Sequence, residues 1–112
     1  MLYCIRIKTA DKYLAGTDAN IFISLVGEKG TTREIRLNPL ISGDAFERND
    51  LDHVYDIDLE DVGQIKELLL RSDEWGLGPD WYPDYISVAR FDTTFNIGRW
   101  IEDKNVHRFT RS

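Results

Sequence analysis

Short runs in which apolar and polar side chains alternate, each closed by glycine, proline or clustered polar residues, recur through this chain of 112 residues. A period of two is what a half-buried strand requires, because successive side chains point to opposite faces of a sheet. Tyr3, Ile5 and Ile7 alternate with Cys4, Arg6 and Lys8, which places the first three in a core and the cations in water. Residues 21–26 carry large apolar side chains on both faces except at Ser24, the mark of a central strand. Gly27-Glu28-Lys29-Gly30 is a hairpin signal, and alternation resumes over residues 31–37 with Arg33, Ile35 and Leu37 on one side. Leu51, His53, Tyr55, Ile57 and Leu59 are expected to form the core face of a long strand, with Asp52, Asp56 and Asp58 on its other side. Residues 81–91 align Tyr82, Ile86 and Val88, residues 95–101 suggest a last pair of short strands, and a polar tail begins at Glu102. The pattern predicts an all-β, antiparallel sandwich. One stretch stands apart: over residues 61–71, Val62, Ile65, Leu68 and Leu69 follow a helical spacing, with Asp58 or Asp61 as a cap.

Charge and composition narrow the function. Twenty acidic residues against fourteen basic ones give a formal net charge of −6. That argues against nucleic acid, where a basic face supplies most of the affinity, and against simple electrostatic binding to anionic lipid. With 42% hydrophobic residues the chain can bury a core without disulfides, and residues 1–112 are expected to form a single domain, a monomer. Cys4 is the one cysteine, which suits a reducing, cytoplasmic setting. The opening residues are charged at alternate positions, unlike a secretory leader, and no apolar run reaches membrane-spanning length. No catalytic set assembles. His53 and His107 are the only histidines, and neither Cys4 nor any serine has a recognisable base. The expectation is a non-catalytic module.

The polar segment most suggestive of chemistry is Leu14-Ala15-Gly16-Thr17-Asp18-Ala19-Asn20, which runs straight into the strand Ile21-Phe22-Ile23-Ser24-Leu25-Val26-Gly27. Gly16 tolerates close approach to its backbone, and Asp18 and Asn20 add hard oxygens of the kind calcium takes in sets of six to eight. A polar turn, with Asp and Asn bonded to their own backbone, accounts for the same residues. This segment resembles the opening loop and strand of the PLAT domain family, the lipid-associated β-sandwich of animal lipoxygenases, pancreatic lipases, polycystins and clostridial alpha-toxin. Four further matches follow in order: Phe46-Glu47-Arg48, Trp75-Gly76-Leu77-Gly78-Pro79-Asp80-Trp81-Tyr82, Tyr85-Ile86-Ser87-Val88 and Gly98-Arg99-Trp100-Ile101. Five motifs in sequence span nearly the whole chain, and the likeness is greatest to the N-terminal domain of animal lipoxygenases.

The resemblance implies eight antiparallel strands in two four-stranded sheets, and it makes residues 65–71 a strand where local chemistry favours helix. It implies three loops meeting at one end: residues 14–20, residues 38–48 with Asn38, Asp44 and Glu47, and residues 73–81 with Asp73 and Asp80. Carried over by position, the carbonyls of Leu14 and Gly16 and the side chains of Asp18, Asp44, Glu47 and Asp80 would ligate calcium, with Asn38 and Asp73 beside them. The sequence departs from the family in places. Ala19 stands where several relatives have a second acid, Gly43-Asp44-Ala45-Phe46 holds one extra residue, and Asp80 stands where many lipase-like members carry glycine. Tyr13, Leu14 and Trp75 lie at the loop tips, where the resembling domains enter membranes, so lipid headgroups are the expected partner. A protein partner docking on the loops or on a sheet face is the second possibility. Trp81 and Trp100 lie in strand-like stretches and are expected to pack.

Overall fold

The computed structural model describes residues 1–111. Its strands are β1 (Leu2–Thr9), β2 (Ile21–Gly27), β3 (Gly30–Thr31), β4 (Ile35–Arg36), β5 (Leu51–Asp58), β6 (Ile65–Ser72), β7 (Pro83–Val88), β8 (Thr93–Asn96) and β9 (His107–Thr110). All pairings are antiparallel. One sheet has the order β5-β1-β7-β8, and the other runs β3-β2-β6-β9 with β4 also on β2. β3 and β4 are two pieces of one broken strand lying along the same partner, so the sandwich has four ribbon positions in each sheet. Ile5, Ile7, Ile86 and Val88 from the first sheet meet Ile23, Leu25, Leu68 and Leu70 from the second, all of them buried.

The expected central strand at 21–27 and its Gly27–Gly30 hairpin are present. So is the strand at 65–72, in place of the helix that local spacing suggested. Its apolar spacing has a physical cause. The register slips between Val26 and Gly27, leaving Lys66 as an extra residue, so Ile65 and Leu68 both face inward at a separation that mimics a helical turn.

The same device corrects the reading of β5. Asp52 and Val54 face the core, Leu51 and Tyr55 face out, and Tyr55 is 71% exposed. A bulge then places Tyr55 and Asp56 opposite Cys4, with Asp56 in the left-handed region at φ 50°. Beyond it the phase reverses, Ile57 is half-buried and Leu59 is buried. His53 lies on the outer face, stacked on Tyr55 at 5.4 Å. The polar tail also holds an unanticipated strand, β9, which pairs along β6 and packs Phe109 against the core.

Candidate functional site

Three loops leave the same end of the sandwich: residues 10–20 between β1 and β2, residues 37–50 between β4 and β5, and residues 73–82 between β6 and β7. Backbone hydrogen bonds join them. Thr17 N donates to Phe46 O at 3.0 Å and Tyr82 N donates to Ala15 O at 3.0 Å. Asp73 N donates to Asn20 O at 3.1 Å, and Thr17 Oγ1 donates to Pro79 O at 2.6 Å.

Gly16 is needed for this closure. A Cβ there would stand 2.9 Å from Phe46 O and 3.0 Å from Arg48 N. The left-handed residue of the loop is Leu14, at φ 59°, which turns that side chain outward to 68% exposure. Phe46, at φ 60°, is buried against Trp81 with ring centroids 5.1 Å apart. Its N–H donates to Asp52 Oδ2 at 2.9 Å, which explains why that carboxylate faces inward. Burial pushes the Asp52 carboxyl up, while the bond from Phe46 pulls it back.

Two adjoining hollows open between the loops. Asp18, Asn38, Asp44 and Glu47 border the smaller, about 210 Å³. The larger, about 650 Å³, has Asp18, Glu47 and Asp80 in its wall together with Tyr13, Leu14, Leu77 and Trp100. Asp18 and Glu47 line both, and the larger also takes in Gly16. The Glu47 carboxyl is held above its ordinary value, first by burial and then by the carboxylates of Asp44, Asp18, Asp50 and Asp52. In the third loop Glu74 is likewise raised, by burial and then by Asp80, Asp103 and Glu102. Its Oε1 is buried without a hydrogen-bond donor.

Two of the expected ligands are engaged within the protein. Asn38 clamps the first loop, accepting from Ile21 N at 2.9 Å and donating to Ala19 O at 3.0 Å. Asp73 accepts from Asn20 N at 2.9 Å, Asn20 Nδ2 at 2.7 Å and Trp75 N at 3.0 Å, and its carboxyl lies below its ordinary value. Among the described residues no group of three or more His, Cys, Asp or Glu closes into a metal-holding cluster. Around the smaller hollow Asp18, Asp44 and Glu47 bring carboxylate oxygens, the donor type that a hard cation takes.

Tyr13 and Trp75 stand out at 77% and 67% exposure. Sequence reasoning missed Leu77, the most exposed apolar side chain at 93%. Its signal was present in the flanking glycines, for Gly76 and Gly78 both sit at positive φ, 94° and 65°, and lift Leu77 off the surface. Trp81 packs as expected, buried with Nε1 donating to Thr9 Oγ1 at 3.0 Å. Trp100 rests edge-on against Tyr82 and also faces the larger hollow.

Fold and site define a β-sandwich whose binding chemistry is gathered on three loops at one end. A family model described as PLAT/LH2 domain matches residues 3–112. Lipoxygenase homology domain-containing protein 1 of Mus musculus is 35% identical over 112 residues, 96% of this chain and 5% of that protein. The allene oxide synthase-lipoxygenase protein of Plexaura homomalla is 33% identical over 107 residues, 89% of this chain and 10% of that protein. The crystal structure of coral 8R-lipoxygenase, described as activated by calcium through a C2-like domain, superposes with a TM-score of 0.87 at 29% identity. It covers 100% of this chain and 17% of the lipoxygenase. A calcium-dependent 11R-lipoxygenase gives 0.71 at 27% identity, over 99% of this chain and 17% of its own. The chain belongs to the PLAT/LH2 family, and as such a domain it is non-catalytic on its own. It spans no more than 17% of the length of these relatives.

Proposed function

We propose that this domain is a calcium-assisted module that docks on membrane lipid, moving from the cytoplasm to a membrane surface when calcium rises. One observation carries the reading. A single groove joins the carboxylates of Asp18, Glu47 and Asp80 to the exposed side chains of Tyr13, Leu14 and Leu77. Acidic groups beside outward apolar side chains repel an anionic leaflet until a cation neutralises them. Calcium, held by Asp18, Asp44 and Glu47 with the carbonyls of Leu14 and Gly16 and with Asp80 across the groove, would supply positive charge where contact is made. Asn38 and Asp73, part of the same expected set, would act by holding the loops that carry those oxygens. Tyr13, Leu14, Trp75 and Leu77 then enter the headgroup region, where aromatic rings with one polar part are favoured. The calcium links named in the descriptions of the 8R- and 11R-lipoxygenases support the same reading.

The experiment is sedimentation of the domain with neutral and anionic vesicles, in calcium or in chelator. Binding is expected in calcium alone. Trp75→Ala should weaken it by about 1–3 kcal/mol at saturating calcium, the worth of a buried aromatic side chain. Asp18→Asn should raise the calcium concentration required. Failure of the wild type to bind either vesicle type in calcium overturns the proposal.

A further inference from the structure

The sheet β5-β1-β7-β8 turns its second face to solvent, and on it one arginine stands without an acidic partner. Strand register sets His53, Arg6, Ser87 and Thr94 side by side in one row across its four strands. Arg6, Ser87 and Thr94 line a hollow of about 370 Å³ together with Tyr85 and Asn96. Arg6 is exposed and has no ion-pair or hydrogen-bond partner among the described residues. The one carboxylate at the rim, Asp92, forms no ion pair with it. Lys8, in the neighbouring row, has its ammonium on Asn49 O at 2.8 Å and Asn49 Oδ1 at 2.9 Å. An unneutralised guanidinium set among hydroxyl donors is a receptor for an oxyanion, since guanidinium and carboxylate match in shape as well as charge.

Beside the hollow the same face carries apolar anchors. Tyr55 is 71% exposed, Leu2 51% and Leu51 42%, with His53 stacked on Tyr55. Exposed tyrosine and arginine on one face are enriched in protein-binding surfaces, and of the acids nearby Asp56 is turned to Cys4 Sγ at 3.6 Å and Asp92 lies at the rim. Position separates it from the lipid site. The hollow runs along β7 from Tyr85, beside Asn96, to Val88 and the turn of residues 89–91, and it shares no lining residue with the two hollows at the loop end.

We propose that the outer face of the β5-β1-β7-β8 sheet docks an acidic segment of a partner polypeptide. A carboxylate of that segment enters the hollow, where Arg6 pairs with it and Ser87 and Thr94 donate hydrogen bonds, while Tyr55 covers apolar surface alongside. The proposal is independent of calcium and of lipid.

The test is amide-shift mapping of the isotopically labelled domain in calcium-free buffer. The probes are a leucine-containing polyglutamate peptide, a polylysine control and inorganic phosphate. The acidic peptide should shift Arg6, Ser87, Thr94 and Tyr55 while polylysine leaves them unmoved. Arg6→Glu should weaken the peptide about fivefold or more without lowering the thermal midpoint, because the native side chain is exposed and unpartnered. Arg6→Gln should fall between the two. Shifts confined to other faces, or undiminished binding by Arg6→Glu, would overturn the proposal. Phosphate binding as tightly as the peptide would make the hollow a small-anion site instead. Arg6-dependent binding of anionic vesicles in chelator would make it a lipid contact, and either result also sinks the protein-docking inference while leaving the calcium reading untouched.

Discussion

Glu47 is the residue on which the electrostatics of the loop end turn. Its folded carboxyl titrates above the unfolded value because burial and the carboxylates of Asp44 and Asp18 penalise its charge. A raised folded value means the ionised Glu47 opposes folding at neutral pH, and this is relieved as pH falls through that value. A cation in the hollow works in the opposite direction, since it favours the charged form. In the calcium reading, binding should weaken as pH falls from neutrality into the range where the raised Glu47 carboxyl protonates, and calcium binding there should release a proton. Glu47→Gln is expected to raise the thermal midpoint of the calcium-free domain at pH 7. It should also weaken calcium roughly tenfold or more, by removing a charged oxygen ligand. Calorimetry with and without calcium at several pH values checks both signs. A variant that melts lower than wild type in chelator would show that Glu47 is a structural support and not a strained one.

At the scale of elements, what could be read from sequence depended on whether a strand kept its phase. β1 alternates and β2 keeps one phase with Ile21, Ile23 and Leu25 inward, so their inward residues are legible in the sequence. β5 and β6 each carry a bulge, which shifts the inward set by one residue partway along. Sequence period cannot reveal such a slip, so Tyr55 was placed inside and residues 61–71 imitated a helix; family likeness resolved the second and not the first. β9 was hidden because an edge strand with one half-buried face needs little apolar content. The loops were legible as polar segments rich in oxygen, but their mutual geometry was not. Gly16 illustrates this. Its value lies in contact with the backbone of residues 46–48, far away in sequence, and not in unusual torsion angles. Gly16→Ala should therefore destabilise the domain by roughly 1–3 kcal/mol, the usual range for forcing atoms into a close-packed site. Denaturant unfolding measures it. An unchanged midpoint would mean that the first two loops can separate at no cost.

For the whole molecule, the buried core and the two surfaces proposed to bind ligands are set apart in space. Tyr3, Ile5, Ile23, Leu25, Leu68 and Phe95 are buried to 1% exposure or less, while Asp18, Glu47, Tyr13 and Trp75 all lie beyond the strand ends. Ile23 pairs with Leu70 on one side and Ile35 on the other, in the middle of the second sheet. Removing its side chain leaves a void that close-packed neighbours cannot fill, at a cost of about 2–5 kcal/mol. The loop-end geometry does not pass through that void, since the loops are tied to one another by the bonds of Thr17, Tyr82 and Asp73. Ile23→Ala should thus lower the unfolding free energy by that amount while the folded fraction keeps wild-type affinity for vesicles in calcium. Chemical denaturation gives the first quantity and sedimentation well below the melting temperature gives the second. Should vesicle affinity fall in step with stability, the sheets and the loops form one cooperative unit, and the loop end owes its shape to the core as much as to its own hydrogen bonds.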